Sequence, residues 1–224
     1  MGIDVDKYIR YAEAMPRAPI RDAEERLLAS GLALFARRGC ERVNTNAIAR
    51  RAGLGVGTFY VHFSDKYALL RQLQLRTLDG LQAARLAALE QAERDPADQV
   101  RHAARAAIEF ATAHPDAYRV TFGRERAASA AHGPILTESG RPIAQALTRL
   151  QAEARLDPAL DATLAARAYL SMEAGMLLWW LEDPARATPD ALVETLARLH
   201  PAVQGAGPGA SMGRPAAFAP DRSP

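Results

Sequence analysis

The sequence predicts an all-α protein, and three observations carry that prediction. Ala, Leu, Arg, Glu and Gln dominate most segments, and these residues lose little on entering a helix. No sustained alternation of β-branched and polar residues appears, and hairpin signals are missing; Asp79-Gly80, the one Asp-Gly pair, sits inside a helical pattern. His114-Pro115, Asp157-Pro158 and Asp183-Pro184 divide the helical patterns, because proline disfavours the helical conformation in the residue before it.

In chain order, residues 1–18 form an N-terminal arm. Either Ile3, Tyr8, Ile9 and Tyr11 start a short amphipathic helix there, or Arg10 and Arg17 make it a basic arm. The first helix runs from Pro19 to Arg38 with Leu27, Gly31, Leu34 and Phe35 on one face, and Gly39 stands where a left-handed C-terminal cap is wanted. A long helix begins after Ser64, whose side chain caps it, and continues to Arg94, where Asp95-Pro96 stops it. Further helices are expected over 97–113, 116–123, 140–156, 158–182 and 189–200. The stretch from Arg124 to Gly140, with Gly133-Pro134 inside it, has no clear element. From Val203 to Pro224, four Gly and four Pro in 22 residues defeat regular structure, so a disordered tail is expected.

A chain of 224 residues with 49% hydrophobic and 24% charged side chains has enough apolar surface for a core, which excludes a wholly disordered chain. The longest uninterrupted apolar stretch, Met176 to Leu181, falls far short of the roughly 20 residues that cross a bilayer. Asp4, Asp6 and Lys7 break any apolar signal core in the first ten residues, so the expectation is a cytoplasmic protein without a membrane partner. Cys40 is alone and cannot form an intrachain disulfide; a small buried hydrophobe is the simpler reading than a redox switch. The formal net charge of +2 is unevenly spread: residues 1–66 carry +3, residues 67–224 carry −1, and 34–66 alone carry +4. A local basic excess is the footprint of a nucleic-acid partner, although an ordinary solvated face carries the same charge.

The informative stretch is Arg42 to Lys66, RVNTNAIARRAGLGVGTFYVHFSDK. Asn44 is a good N-cap for a two-turn helix over Thr45 to Arg51, whose Ile48 and Ala49 face inward. Gly53-Leu54-Gly55 makes a tight turn, with Gly53 supplying backbone freedom and Leu54 plugging the core. A second short helix follows from Val56 to about Phe63, anchored by Phe59 and Phe63 at i and i+4. Two short helices joined by a glycine-containing turn make a helix-turn-helix, whose second helix is the one that enters the DNA major groove.

These residues closely resemble the DNA-binding region of the TetR family of bacterial transcriptional repressors. The shared features are Leu34-Phe35-Ala36-Arg37-Arg38-Gly39, the turn Ile48-Ala49-x-x-Ala52-Gly53-Leu54, and Gly57-Thr58-Phe59-Tyr60 leading to His62-Phe63-x-Asp65-Lys66-x-x-Leu69-Leu70. The match covers about residues 24–70 in order. The resemblance implies an N-terminal helix-turn-helix head of three helices (19–66) on a C-terminal helical ligand-binding and dimerisation domain (67–202), followed by the tail (203–224). It implies phosphate contacts from Asn44, Thr45, Tyr60 and Lys66, and base reading from Gly55, Val56, Gly57, Thr58 and His62. Two of these are open at this stage, since Thr58 either reads a base or caps its own helix, and His62 either meets a phosphate or stays a solvated edge. The family often has Ser-Lys or Ser-Arg where Gly55-Val56 stand. That departure removes a capping hydroxyl and a basic side chain, so readout is expected to lean on Thr58 and on apolar contact with thymine methyl groups.

Beyond Lys66 the resemblance is architectural. It implies a homodimer through the last two long helices, with Leu164, Leu170, Leu177, Trp180, Leu192, Val193, Leu196 and Leu199 as the expected four-helix seam. It also implies a double-stranded, pseudopalindromic DNA operator as partner and a pocket for a small hydrophobic effector. Phe110, Tyr118, Phe122, Met172, Met176 and Trp179 are the candidate lining, although such residues at helical spacing are equally core. Residues 116–126 vaguely resemble a helix of those TetR regulators that respond to fatty acyl groups, a short match that would imply a fatty-acyl-like effector, although Arg124, Glu125 and Arg126 equally read as a solvated turn. No nucleophile elbow, P-loop, dinucleotide fingerprint or metal-spaced His/Cys cluster appears, so no catalytic residue, metal or cofactor is assigned. The competing expectation, a helical protein–protein adaptor, leaves the helix-turn-helix and its local charge unexplained.

Overall fold

A computed structural model describes residues 20–123 and 140–204. Ten helices and no strand occur among them. They are α1 (Ile20–Arg38), α2 (Thr45–Arg51), α3 (Val56–His62), α4 (Lys66–Leu89), α5 (Pro96–Ala113), α6 (Pro115–Phe122), α7 (Arg141–Ala152), α8 (Ala162–Glu182), α9 (Pro189–Leu199) and α10 (Pro201–Gln204), with short 3-10 turns at Cys40–Arg42 and Pro184–Arg186. The N-terminal arm, the segment 124–139 and the tail from 205 lie outside the described residues.

Most helix boundaries follow from capping chemistry. The side chains of Asn44, Asp95, Asp161 and Thr188 each accept backbone N–H groups of the first turn that follows, and Pro96, Pro115 and Pro189 occupy first-turn positions where no N–H is needed. Three expected boundaries are corrected. The cap of α4 is Asp65, whose Oδ1 accepts from Tyr67 and Ala68, while Ser64 only donates to Asp65; a carboxylate outcompetes a hydroxyl for two amides at once. The same helix ends at Leu89 instead of Arg94. Asp98 takes the N–H of Glu93, so residues 90–95 are used in the reversal into α5. Finally, α8 starts at Ala162, because Asp157 turns the chain at Ala159 before Asp161 caps the helix.

Two cores organise the molecule. The head core gathers Leu27, Phe35, Cys40, Val43, Ile48, Phe59, Phe63, Leu69, Leu70 and Leu73 from α1 to α4, together with Val120 from α6. Cys40 is fully buried there. The body core joins Leu81 of α4, Ile108 of α5, Tyr118 of α6, Leu177 and Trp180 of α8, and Leu192, Val193 and Leu196 of α9. A smaller cluster ties Leu147 and Leu156 to Ala166 and Ala202. This arrangement corrects the expected dimer seam. Leu177, Trp180, Leu192, Val193 and Leu196 are buried in their own chain, and only Leu164 (67% exposed) and Leu199 (43%) face outward, with Leu170 half-buried. Helices α8 and α9 each commit one apolar face to the body, so the same residues are not free for a second copy.

The end of α7 shows a residue under strain. The N–H of Ala154 bonds the carbonyl of Gln151 and that of Arg155 bonds Leu150, the paired pattern of a Schellman cap, with Ala154 at φ 55°. A side chain with Cβ is strained in the left-handed conformation, whereas glycine is not. Ala154→Gly is therefore expected to raise stability by about 1 kcal/mol, read as a higher midpoint in thermal or urea unfolding.

Candidate DNA-reading head and effector cavity

The turn of the helix-turn-helix is built by three contacts. Gly53 sits at φ 66°, the sign that a side chain resists, and the guanidinium of Arg26 on α1 donates to the carbonyl of Ala52. A Cβ at Gly53 would lie 2.8 Å from that guanidinium, so the turn and its clamp share the same space. Gly31 performs the equivalent service between α1 and α4. A Cβ there would meet the end of the Leu69 side chain, which would have to shift, so the two helices pass closely at this point. Phe59 anchors α3 from beneath, with its ring 5.7 Å from that of Phe63 and edge-on to Tyr60 at 5.5 Å.

The outward surface of this head holds most of the sequence-predicted DNA residues. Asn44 Oδ1 accepts from Ala47 N at 2.8 Å, which leaves the donating end of its amide uncommitted among the described residues. Tyr60 is 57% exposed and its hydroxyl lies 3.1 Å from Thr45 Oγ1, so the two polar tips meet at the junction of α2 and α3. Gly55, Val56 and Gly57 are exposed, and Thr58 and His62 are half-buried. Lys66 is placed differently from its neighbours. Its ammonium donates to the carbonyls of Cys40 (2.9 Å) and Glu41 (3.2 Å), stapling the 3-10 turn to α4, and it also pairs with the Glu41 carboxylate at 3.9 Å. Val61, 74% exposed, joins this surface and was not among the predicted residues. The signal was present: Val61 is four residues after Gly57 and off the Phe59/Phe63 face.

In the body, five of the six predicted lining residues pack as core. Tyr118 is fully buried, and Phe110, Phe122, Met172 and Met176 are half-buried against the body cluster. Trp179 is corrected: it is 48% exposed, with the Arg186 guanidinium 5.1 Å from its ring, because Trp180 takes the inward position. None of the six lines the cavity of about 570 Å³ that opens between α4, α5, α7 and α8. Its walls include Leu86, Leu89, Val100, Ile143 and Leu150, its mouth carries Arg94, Arg149 and Arg155, and its floor holds Arg85, Glu173, Tyr169 and His200.

Arg85 and Glu173 form an ion pair with side chains 13% and 5% exposed. Burial, then the charge of Glu173, pushes the hydroxyls of Tyr118 and Tyr169 above the ordinary tyrosine range, with Arg85 opposing. Both stay protonated at neutral pH. Burial followed by repulsion from Arg85 lowers His200 from 6.5 to about 4, so its ring is neutral, with Nδ1 accepting from Ala202 N at 3.1 Å. These floor residues escaped sequence reasoning, although Glu173 and Arg167 are the only charges of α8 before its last residue. Because the folded-state pKa of His200 lies below its unfolded value, the unfolded chain binds more protons between these values. Stability should fall as pH drops from about 6.5 toward 4, by up to roughly 3 kcal/mol from this group. The stability of His200→Gln relative to the wild type should rise as pH falls through that window, read from unfolding midpoints of the two proteins across it.

An exposed, glycine-turned pair of short helices on a buried platform is the geometry of a helix-turn-helix unit. Residues 27–73 match the model of bacterial regulatory proteins of the tetR family, so the helix-turn-helix head is similar to the DNA-binding segment of those regulators. No curated protein matches the sequence significantly. Solved structures extend the likeness of fold to the body. The fatty acid degradation regulator FadR from Bacillus halodurans superposes with a TM-score of 0.68 at 17% identity, over 84% of this chain and 97% of that one. FadR from Bacillus subtilis, solved in complex with stearoyl-CoA, gives 0.64 at 14% identity over 80% and 98%. The TetR family regulator PfmR from Thermus thermophilus gives 0.59 at 23% identity over 78% and 96%. Among the described residues no helix is long and apolar enough to cross a membrane.

Proposed function

We propose that the chain is a repressor that binds a pseudopalindromic operator as a homodimer and releases it when a small amphipathic effector enters the body. The observation that carries the reading is the exposed α2–α3 surface, where Asn44, Thr45 and Tyr60 present polar tips beside an α3 held rigidly from below. In this reading Asn44, Thr45, Tyr60 and Lys66 meet phosphates and set register, and the outward face of α3 meets base edges. The second copy packs on the outward stripe of α8, where Leu164, Ala168, Ser171, Gly175 and Trp179 follow one another at helical spacing and all are exposed. Small central residues let the two helices approach, and a two-fold axis there carries the reading helices to half-sites about 34–36 Å apart.

The effector belongs in the 570 Å³ cavity, a volume within the range that holds a small molecule. Leucine and valine walls favour an apolar chain, and Arg94 and Arg149, which have no partner among the described residues, favour an anionic head. A fatty acyl compound has that chemistry, and the stearoyl-CoA bound by one structural neighbour is of the same class. Regulation in this scheme needs the effector to bind the DNA-free arrangement better than the DNA-bound one, since only that difference shifts the equilibrium.

Two experiments test it. The full-length protein should retain its own upstream intergenic DNA with a steep dependence on salt, and Tyr60→Phe should lose about tenfold in affinity across all sequences while folding normally. Salt-independent retention, or none at low salt, would sink the DNA-binding reading. Separately, long-chain acyl-CoA should release the duplex from the wild type and fail to release it from Ala103→Trp, whose indole fills the cavity. Equal release from both would place the effector elsewhere.

A further inference from the structure

The outward face of α3 is unusual for a helix that reads DNA. Val56 is 41% exposed and Val61 is 74% exposed, so neither valine is explained by packing on the head. With Gly57 and Tyr60 they make one contiguous patch, since positions 56, 57, 60 and 61 share a helical face. The polar side chains of α3 are turned from this patch or engaged: Thr58 and His62 are half-buried, and the Tyr60 hydroxyl is directed to Thr45. No Lys, Arg, Asp, Glu, Asn or Gln stands on α3.

Gly57 adds a second, independent observation. A Cβ built there meets nothing within 4 Å, and its backbone is not left-handed, so neither space nor conformation within the chain calls for glycine. Glycine nonetheless weakens a helix relative to alanine. The room that Gly57 leaves open lies on the outside, where the docked duplex sits. Of the groups that base pairs display in the major groove, the thymine 5-methyl is the apolar one.

We propose that α3 reads its half-site through methyl contacts: Val56 and Val61 pack on thymine 5-methyl groups, and Gly57 lets the helix settle close enough for them to touch. The inference rests on the DNA-binding reading above and specifies how that surface discriminates. It makes Val61 a specificity residue alongside Val56.

Full-length protein should be used to enrich duplexes from a random-sequence library, and each thymine of the enriched half-site then replaced in turn by deoxyuridine, which removes only the methyl group. One or two positions per half-site should lose about fourfold or more in affinity, the effect of one buried methyl. The slope of affinity against salt should stay unchanged, because no phosphate contact is lost. Val61→Ala, at a position too exposed to disturb folding, should abolish the uracil effect at one of those positions. Gly57→Ala should melt at the same or a higher temperature than wild type while binding the enriched duplex more weakly. Enriched duplexes with no uracil-sensitive position, or a uracil effect untouched by Val56→Ala and Val61→Ala, would overturn the proposal and leave DNA binding standing. Failure to enrich any duplex at low salt would overturn both.

Discussion

One helix belongs to both cores, and the rest of the architecture depends on it. α4 gives Leu69, Leu70 and Leu73 to the head and Leu81 to the body, so the head cannot reorient independently of the rod that carries it. Its start is fixed by the double cap from Asp65, its lateral position by the close passage of Leu69 past Gly31, and its first residue by the Lys66 staple to the turn at 40–42. α6 completes the coupling from the other side. Tyr118 is buried in the body core and Val120 in the head core, while Arg119 donates to the carbonyl of Leu181 on α8. Two helices therefore span the junction, and neither can shift without disturbing packed side chains on both sides.

The buried polar floor of the cavity has a different logic. An ion pair such as Arg85–Glu173 adds little net stability, because removing two charges from water offsets most of their attraction. Around it, burial keeps two tyrosines protonated and a histidine neutral, with the charge of Glu173 adding to the first effect and that of Arg85 to the second, which leaves polar but uncharged groups beside a balanced pair. An anionic group entering there meets one guanidinium already shared with a carboxylate. The exposed arginines at the mouth carry no such competitor apart from Arg155, which faces Glu153 at 3.1 Å. The uncompensated positive charge of the cavity therefore lies toward its mouth.

The head was far more legible in the sequence than the body, and the reason is the range of the forces involved. Helix starts and the reading turn are local: Asn44, Gly53 and Asp95 act on neighbours a few residues away, so a linear pattern records them. Even the corrections there are local competitions, Asp65 against Ser64 for two amides, and Glu93 taken by Asp98. The body is held by contacts between residues roughly 90 positions apart, such as Arg85 with Glu173 and Arg101 with Glu194. Periodicity identifies an apolar stripe without saying what it faces. Trp179 and Trp180 show this directly, since adjacent identical side chains point oppositely and only the fold selects which one is core. The same ambiguity underlies the corrected seam of α8 and α9, whose apolar faces the chain uses itself.

The junction is also where the packing is least satisfied. Among the described residues, Gln74 Oε1 on α4 and Thr121 Oγ1 on α6 are buried without hydrogen-bond partners, and each lies on a helix that joins the two cores. A buried polar atom left unpaired costs about 1–3 kcal/mol, comparable with the coupling energies that separate the states of regulated proteins. A rearrangement of α4 against α6 that satisfied either atom would recover part of what it lost in packing. The reading surface and the junction beneath it have separate physical origins. The head is held by local caps, glycine contacts and aromatic anchors, and its attitude to the body is set by two helices whose mutual packing leaves polar atoms unclaimed.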